Sequence, residues 1–189
     1  MNKTISALIL KQLGWSLTQG LPEGTRKCVL IVAPHTSNWD FVIGRLIFNL
    51  IGLPTKFFIK KESFFWPLGI LLKKMGGIPI DRKRGNNAIK EVAQLFSQHE
   101  ELIVTITPEG TRKLTKNWKR GFYYISEIAK VPIAVAFIDY GRKECGIAFL
   151  FTPTGDFEKD FEPVRALYLD KQAKFPENFN LSPMYQVNK

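Results

Sequence analysis

The chain has 189 residues, 45% apolar and 23% charged. This composition supports one sizeable hydrophobic core and excludes disordered and fibrous classes. Two distant cysteines, Cys28 and Cys145, cannot build a disulfide scaffold or a zinc cluster, so no metal site is expected and a reducing, cytoplasmic setting is the simplest reading. The net charge of +10 is uneven, with +5 on residues 1–60, +6 on 61–130 and −1 on 131–189. Such a field attracts polyanions: nucleic acid, an anionic membrane, an acidic carrier protein or a phosphorylated substrate.

Residues 1–20 are expected to form an amphipathic helix, with Ile5, Leu8, Ile9, Leu13 and Leu17 at helical spacing and Trp15 near its end. The pattern suits a membrane interface and equally suits packing on the chain's own domain. A turn at 20–24 leads to a buried strand over 28–33, and apolar spacing from Trp39 to Leu50 predicts a helix from Ser37 onward, ended by Gly52 and Pro54. A strand at 55–59, a very apolar short helix at 64–75 and a strand at 78–80 follow. Next come a helix at 86–98, a strand at 102–106 stopped by Pro108, a helix at 121–130, a strand at 132–138 and an edge strand at 146–151. This alternation predicts an α/β layered fold with a mainly parallel central sheet flanked by helices, occupying residues 21–160. Residues 161–189, polar and carrying Pro163, Pro176 and Pro183, are expected to wrap the surface or fray. No apolar run approaches the ~20 residues of a membrane-spanning helix.

Residues just past strand ends line the crevice where such sheets bind ligands, and three of these ends are chemically unusual. In the first, His35 sits in a loop and Asp40 in the first helical turn. Within one helix, positions five apart would point about 140° away from each other, so the loop is what lets the two side chains meet. A His/Asp dyad makes a competent general base for a hydroxyl. Asp40 can equally complete a capping arrangement with Ser37. Free N–H groups at the start of that helix are candidates for an oxyanion. The second end places Asp81, Arg82, Lys83 and Arg84 after a short strand, and the third is Thr107-Pro108-Glu109-Gly110-Thr111-Arg112. Arginine forks and a close-approach glycine suit phosphate, and either segment is also an ordinary polar loop. His99, beside Glu100 and Glu101, reads as a helix-end residue.

The spacing His35-x4-Asp40, then Gly76-x5-Arg82, then Pro108-Glu109-Gly110-Thr111-Arg112, then Val131-Pro132-Ile133 resembles the four ordered blocks of the glycerolipid acyltransferases, typified by 1-acylglycerol-3-phosphate acyltransferase. The match spans about residues 28–138 and departs from the pattern at Pro34 and at Val135-Ala136. The resemblance implies direct transfer of a fatty acyl group to a lysophospholipid hydroxyl, most simply that of 1-acylglycerol-3-phosphate; the alternatives are the same chemistry on an amino-acid lipid or glycolipid, or a membrane-binding module without catalysis. Acyl-CoA or acyl carrier protein would be the co-substrate, with no further cofactor. It implies His35 as general base, Asp40 as its orienting partner, and Arg82, Glu109, Gly110, Thr111 and Arg112 in acceptor binding. An acyl chain needs an apolar trough near lipid, and the aromatics at 57–66 flanked by Lys56, Lys60, Lys61, Lys73 and Lys74 suit an anionic interface, with about half of them expected in the core. The expected setting is peripheral, on the inner face of the cell membrane. Nucleic acid is not an expected partner, because no helix-turn-helix, finger or RNP pattern accompanies the charge.

Overall fold

Alternation of apolar strands with amphipathic helices produces a single sheet covered on both faces. The structure, a computed structural model, describes residues 3–81 and 84–181. Its helices are α1 (Lys3–Gln12), α2 (Asn38–Leu50), α3 (Leu68–Lys74), α4 (Asn86–Gln98), α5 (Gly121–Ala129) and α6 (Phe157–Leu169). Its strands are β1 (Ser16–Leu17), β2 (Lys27–Ala33), β3 (Thr55–Lys60), β4 (Gly77–Ile80), β5 (Leu102–Ile106), β6 (Ile133–Asp139) and β7 (Glu144–Phe151). Sheet order is β1-β7-β6-β2-β5-β3-β4, and every pair is parallel except β6 with β7.

Two apolar runs, Cys28–Ala33 within β2 and Ile133–Ile138 within β6, lie side by side at the centre and are buried on both faces, as expected for strands between two helical layers. Leu30, Val32, Ala134 and Ile138 pack beneath Leu10 of α1 and Ile43, Leu46 and Ile47 of α2. On the opposite face Val29, Ile31, Val104, Ile133 and Val135 meet α4, α5 and α6. Chain reversals therefore gather the loops after β2, β5 and β6 at the carboxyl edge of three adjacent strands.

Four expectations need correction. The N-terminal helix ends at Gln12, because Gly14 adopts φ +76° and turns Trp15 inward against Tyr140. Leu17 belongs instead to β1, which covers the outer side of β7, so β7 is not the edge. The two readings of α1 each describe part of it: Ser6 and Leu10 are buried, Asn49 Nδ2 donates to Ser6 Oγ at 2.8 Å, and Ile5, Leu8, Ile9 and Leu13 are exposed.

The helix expected from Phe64 starts only at Leu68, behind a short 3-10 turn and the Trp66-Pro67 step. Phe65 and Trp66 are 61% and 82% exposed, so neither is core. The segment from 161 is not a loose tail either. It completes α6, whose Phe157, Phe161, Val164 and Tyr168 recur at helical spacing and are buried in the main core. Beyond it, Asn180 C=O accepts from Trp118 Nε1 at 3.0 Å and Leu181 is buried.

Candidate active site

β2 delivers the chain to the carboxyl edge, and Ser37 starts α2 with an extended backbone and a capping box: its Oγ accepts from Trp39 N at 3.1 Å while Asp40 reaches back to Ser37 N. Capping and the dyad coexist in one carboxylate. Asp40 Oδ2 accepts from Thr36 N at 2.7 Å, Ser37 N at 2.8 Å and His35 Nδ1 at 3.1 Å, and Oδ1 accepts from Tyr140 Oη at 2.8 Å. Four donors converge on a side chain that is 3% exposed, so an acceptor-only carboxylate satisfies the site. Nδ1 of His35 therefore carries its proton toward Asp40, and Nε2 is the nitrogen left to take another. The imidazole is 20% exposed.

Those bonds narrow one expectation. The N–H groups of Thr36, Ser37 and Trp39 are spent on Asp40 and Ser37, so of the N–H groups at the start of α2 considered for an oxyanion that of Trp39 is already engaged.

Glu109 closes the back of the loop. Its Oε1 accepts from His35 N at 2.8 Å, and the residue is 5% exposed. The resemblance implies acceptor binding for it; the contact the structure shows is a brace for the histidine's backbone. Burial pushes its carboxyl up to about 8, against the lowering effect of the Glu109 and His35 N–H groups, with Asp40 adding to the rise. The raised value makes stability pH-dependent. Because the folded value lies above the unfolded one, the stabilisation is complete below about 4.5 and is lost as pH rises through about 8. Glu109→Gln, isosteric with the neutral acid, should flatten the fall in melting temperature between pH 5 and 9. Parallel wild-type and variant curves would show that Glu109 is ionised throughout.

The remaining residues of that motif divide. Gly110, at φ +68°, lines the cavity described below. Thr111 Oγ1 accepts from Lys113 N at 3.2 Å within its own turn, and Arg112 is exposed and does not line the cavity. Lys119, on the same loop, does line it. Arg82 falls outside the described residues. His99 is the helix-end residue expected, with Nδ1 2.9 Å from Leu95 C=O. Burial pushes the thiols of Cys28 and Cys145 up to about 12, so neither supplies a nucleophilic thiolate. Among the described residues no group of side chains could hold a metal ion.

Tyr140 is the residue the sequence did not single out. It follows β6 just as His35 follows β2, and its ring is held edge-on by Trp15 at 4.9 Å. Burial, followed by its bond to Asp40, raises its hydroxyl well above the ordinary value, so it stays a donor. Residues after α6 strap the loop from outside: Phe175 N donates to Thr36 Oγ1 at 3.2 Å and Lys174 Nζ lies 5.0 Å from the Trp39 ring.

His35 and Asp40 open into a cavity of about 490 Å³. Phe41, Phe48, Phe57, Phe58, Ile80 and Ile106 give it mostly apolar walls, and Arg45, Thr55, Thr105 and Lys119 supply its polar points. A base at the mouth of an apolar cavity is arranged to deprotonate a group brought in by a greasy substrate.

Comparison with solved structures finds the 1-acyl-sn-glycerophosphate acyltransferase PlsC of Thermotoga maritima, with a TM-score of 0.57 and 19% identity over 91% of this chain and 80% of that one. The likeness is one of fold. Comparison with curated protein sequences gives no match. The sequence model of the Acyltransferase family matches residues 18–138, well over half of the chain and inclusive of β2, β5 and the loops that carry His35, Asp40 and Glu109. By that match the chain belongs to the Acyltransferase family.

Proposed function

We propose that this enzyme transfers a fatty acyl group from a thioester, acyl-CoA or acyl carrier protein, to a hydroxyl of a lysophospholipid in phospholipid biosynthesis, with 1-acylglycerol-3-phosphate the leading acceptor. The observation that carries the reading is the His35–Asp40 pair at the mouth of an apolar cavity. Nε2 of His35 takes the proton from the acceptor hydroxyl as its oxygen attacks the thioester carbonyl. A C–O bond forms, the tetrahedral intermediate collapses with cleavage of C–S, and the imidazolium returns its proton to the departing thiolate. Asp40 holds the imidazole in one tautomer and stabilises its cation, and Tyr140 and the two backbone donors hold Asp40. No covalent enzyme intermediate enters this scheme.

Family membership and a fold shared with an acyltransferase named for 1-acyl-sn-glycerophosphate support the acceptor class. A phosphate-bearing acceptor is supported by Lys119 on the cavity wall and the exposed Arg112 on the same loop. Lys119→Met should raise KM for a phosphate-bearing acceptor about tenfold or more and leave an unphosphorylated alcohol unchanged, since charge-assisted bonds contribute roughly 1.5–3 kcal/mol. Equal losses for both acceptors would remove the phosphate from the account.

Among the described residues no helix is long and apolar enough to cross a membrane. The expected contact is with an anionic membrane surface on its cytoplasmic side. Phe65, Trp66, Ile70 and Leu71 stand exposed beside Lys61, Lys73 and Lys74, an apolar set with basic flanks that suits an interface. Replacing Phe65 and Trp66 by alanine should cut partition onto anionic vesicles at least about tenfold, given what such side chains gain on burial. Unchanged partition would place the contact elsewhere.

A further inference from the structure

The segment matched by the family model ends at residue 138, yet the carboxylate of the His35–Asp40 pair is held from beyond it. Tyr140, which donates to Asp40 Oδ1 at 2.8 Å, stands in the turn between β6 and β7. Residues 170–175 return from the end of α6 and touch both that turn and the loop of His35. A hydroxyl fixes a carboxylate only as firmly as its own backbone is fixed, so the contacts that hold the turn bear on the pair.

Asp139 closes the turn. Its buried carboxylate accepts from Gly141 N at 2.9 Å and Arg142 N at 3.3 Å on Oδ1, and from Arg142 Nη1 at 3.0 Å on Oδ2. The same guanidinium reaches both oxygens of Asp170, at 2.8 and 3.0 Å, and so pins the start of the returning segment to the turn. Gln172 N then donates to Asp139 Oδ1 at 3.4 Å, and Gln172 C=O accepts from Tyr140 N at 2.9 Å. Lys174 Nζ lies 5.0 Å from the Trp39 ring and 5.8 Å from the Tyr140 ring, within reach of both π faces. At the far end Phe175 N donates to Thr36 Oγ1 at 3.2 Å, while Thr36 N donates to Asp40 Oδ2 at 2.7 Å. The contacts close a ring that runs from Asp40 through Tyr140, Gln172, Phe175 and Thr36 back to Asp40. Two of the four donors on the carboxylate are thus attached to one strap.

We infer that residues 170–175 are a strap that sets the geometry of the His35–Asp40 pair and that Thr36 is the positioning residue through which it acts, an inference whose effect on turnover rests on the acyltransferase reading. Neither Thr36 nor Arg142 lines the cavity. Loosening the strap should therefore lower kcat and leave KM as it is. Thr36→Val keeps the shape of the side chain and its backbone N–H but deletes the acceptor for Phe175 N, and Thr36→Ser restores that acceptor. Arg142→Gln is an independent handle, since it opens the fork to Asp170 at a half-exposed site where an ordinary ion pair would matter little.

The test reads kinetics with acyl-CoA and 1-acylglycerol-3-phosphate and, without turnover, the proton NMR resonance of the His35 Nδ1–H in its bond to Asp40. Thr36→Val should lower kcat about three- to tenfold, the share of one hydrogen bond, and shift the resonance. Thr36→Ser should regain both, and Arg142→Gln should move both in the same direction by less. The losses of Thr36→Val and Tyr140→Phe should not multiply in the double variant, because each opens the same ring. Unchanged kcat and resonance in Thr36→Val, a serine variant as poor as the valine one, or a change confined to KM overturns the inference. So do losses that multiply in full, or an Arg142→Gln protein indistinguishable from wild type. A resonance that responds to these variants as described, in protein that transfers to no acceptor, would keep the strap and refute the acyltransferase reading.

Discussion

Replacing His35 by alanine should lower turnover about 10²- to 10⁴-fold, the range associated with a positioned general base, while leaving the fold intact. The imidazole makes one side-chain bond, to Asp40, and is partly exposed. The contact that braces the loop uses the backbone N–H of residue 35, which alanine retains. Kinetics on purified variant with an unchanged melting temperature would isolate the chemistry, and a variant that keeps wild-type kcat would show that the proton leaves by another route.

Asp40→Asn should cost about as much in rate and more in stability. The carboxylate accepts four hydrogen bonds, and an amide offers one acceptor oxygen and turns an NH₂ toward groups that are themselves donors. Leaving a buried donor unsatisfied costs roughly 1–3 kcal/mol, so thermal unfolding should move with activity. Tyr140→Phe removes only one of the four donors and should reduce kcat less than tenfold, with KM unchanged, because the tyrosine acts on Asp40 and not on substrate. If Asp40→Asn kept full activity, Asp40 would be a helix cap and no more.

How much of this was legible beforehand follows from the range of the interactions. The boundaries of α4 and β5 are those expected, because Ala88, Val92, Ala93 and Phe96, and the apolar run at 102–106, encode their elements locally. The meeting of His35 with Asp40 is also local, set by the cap at Ser37. α6 was obscured by its own surface: Pro163 and the charges at 158–162 read as a loop, although Phe157, Phe161, Val164 and Tyr168 carry the helical period.

Contacts distant in sequence were hidden altogether. Tyr140 meets Asp40 only because β6 and β2 are neighbours. The strand-end rule that singled out His35 applies equally to it, and no motif marks it. At Glu109 the motif showed the residue and not its direction, which is decided by the proximity of the β2 and β5 loops. The same holds for Lys119, which no motif marked and which lines the cavity, its backbone tied to the turn at 107–110 by the bond from Lys119 N to Pro108 C=O.

The most direct measurement offers labelled acyl-CoA and acyl carrier protein to 1-acylglycerol-3-phosphate, other lysophospholipids and unphosphorylated lipid alcohols, with His35→Ala in parallel. The account predicts labelled diacyl product from the wild-type protein, greatest with 1-acylglycerol-3-phosphate, and a loss of at least about 10² with the variant. Folded wild-type protein that transfers to none of these acceptors, or a variant that transfers as well as wild type, would contradict it.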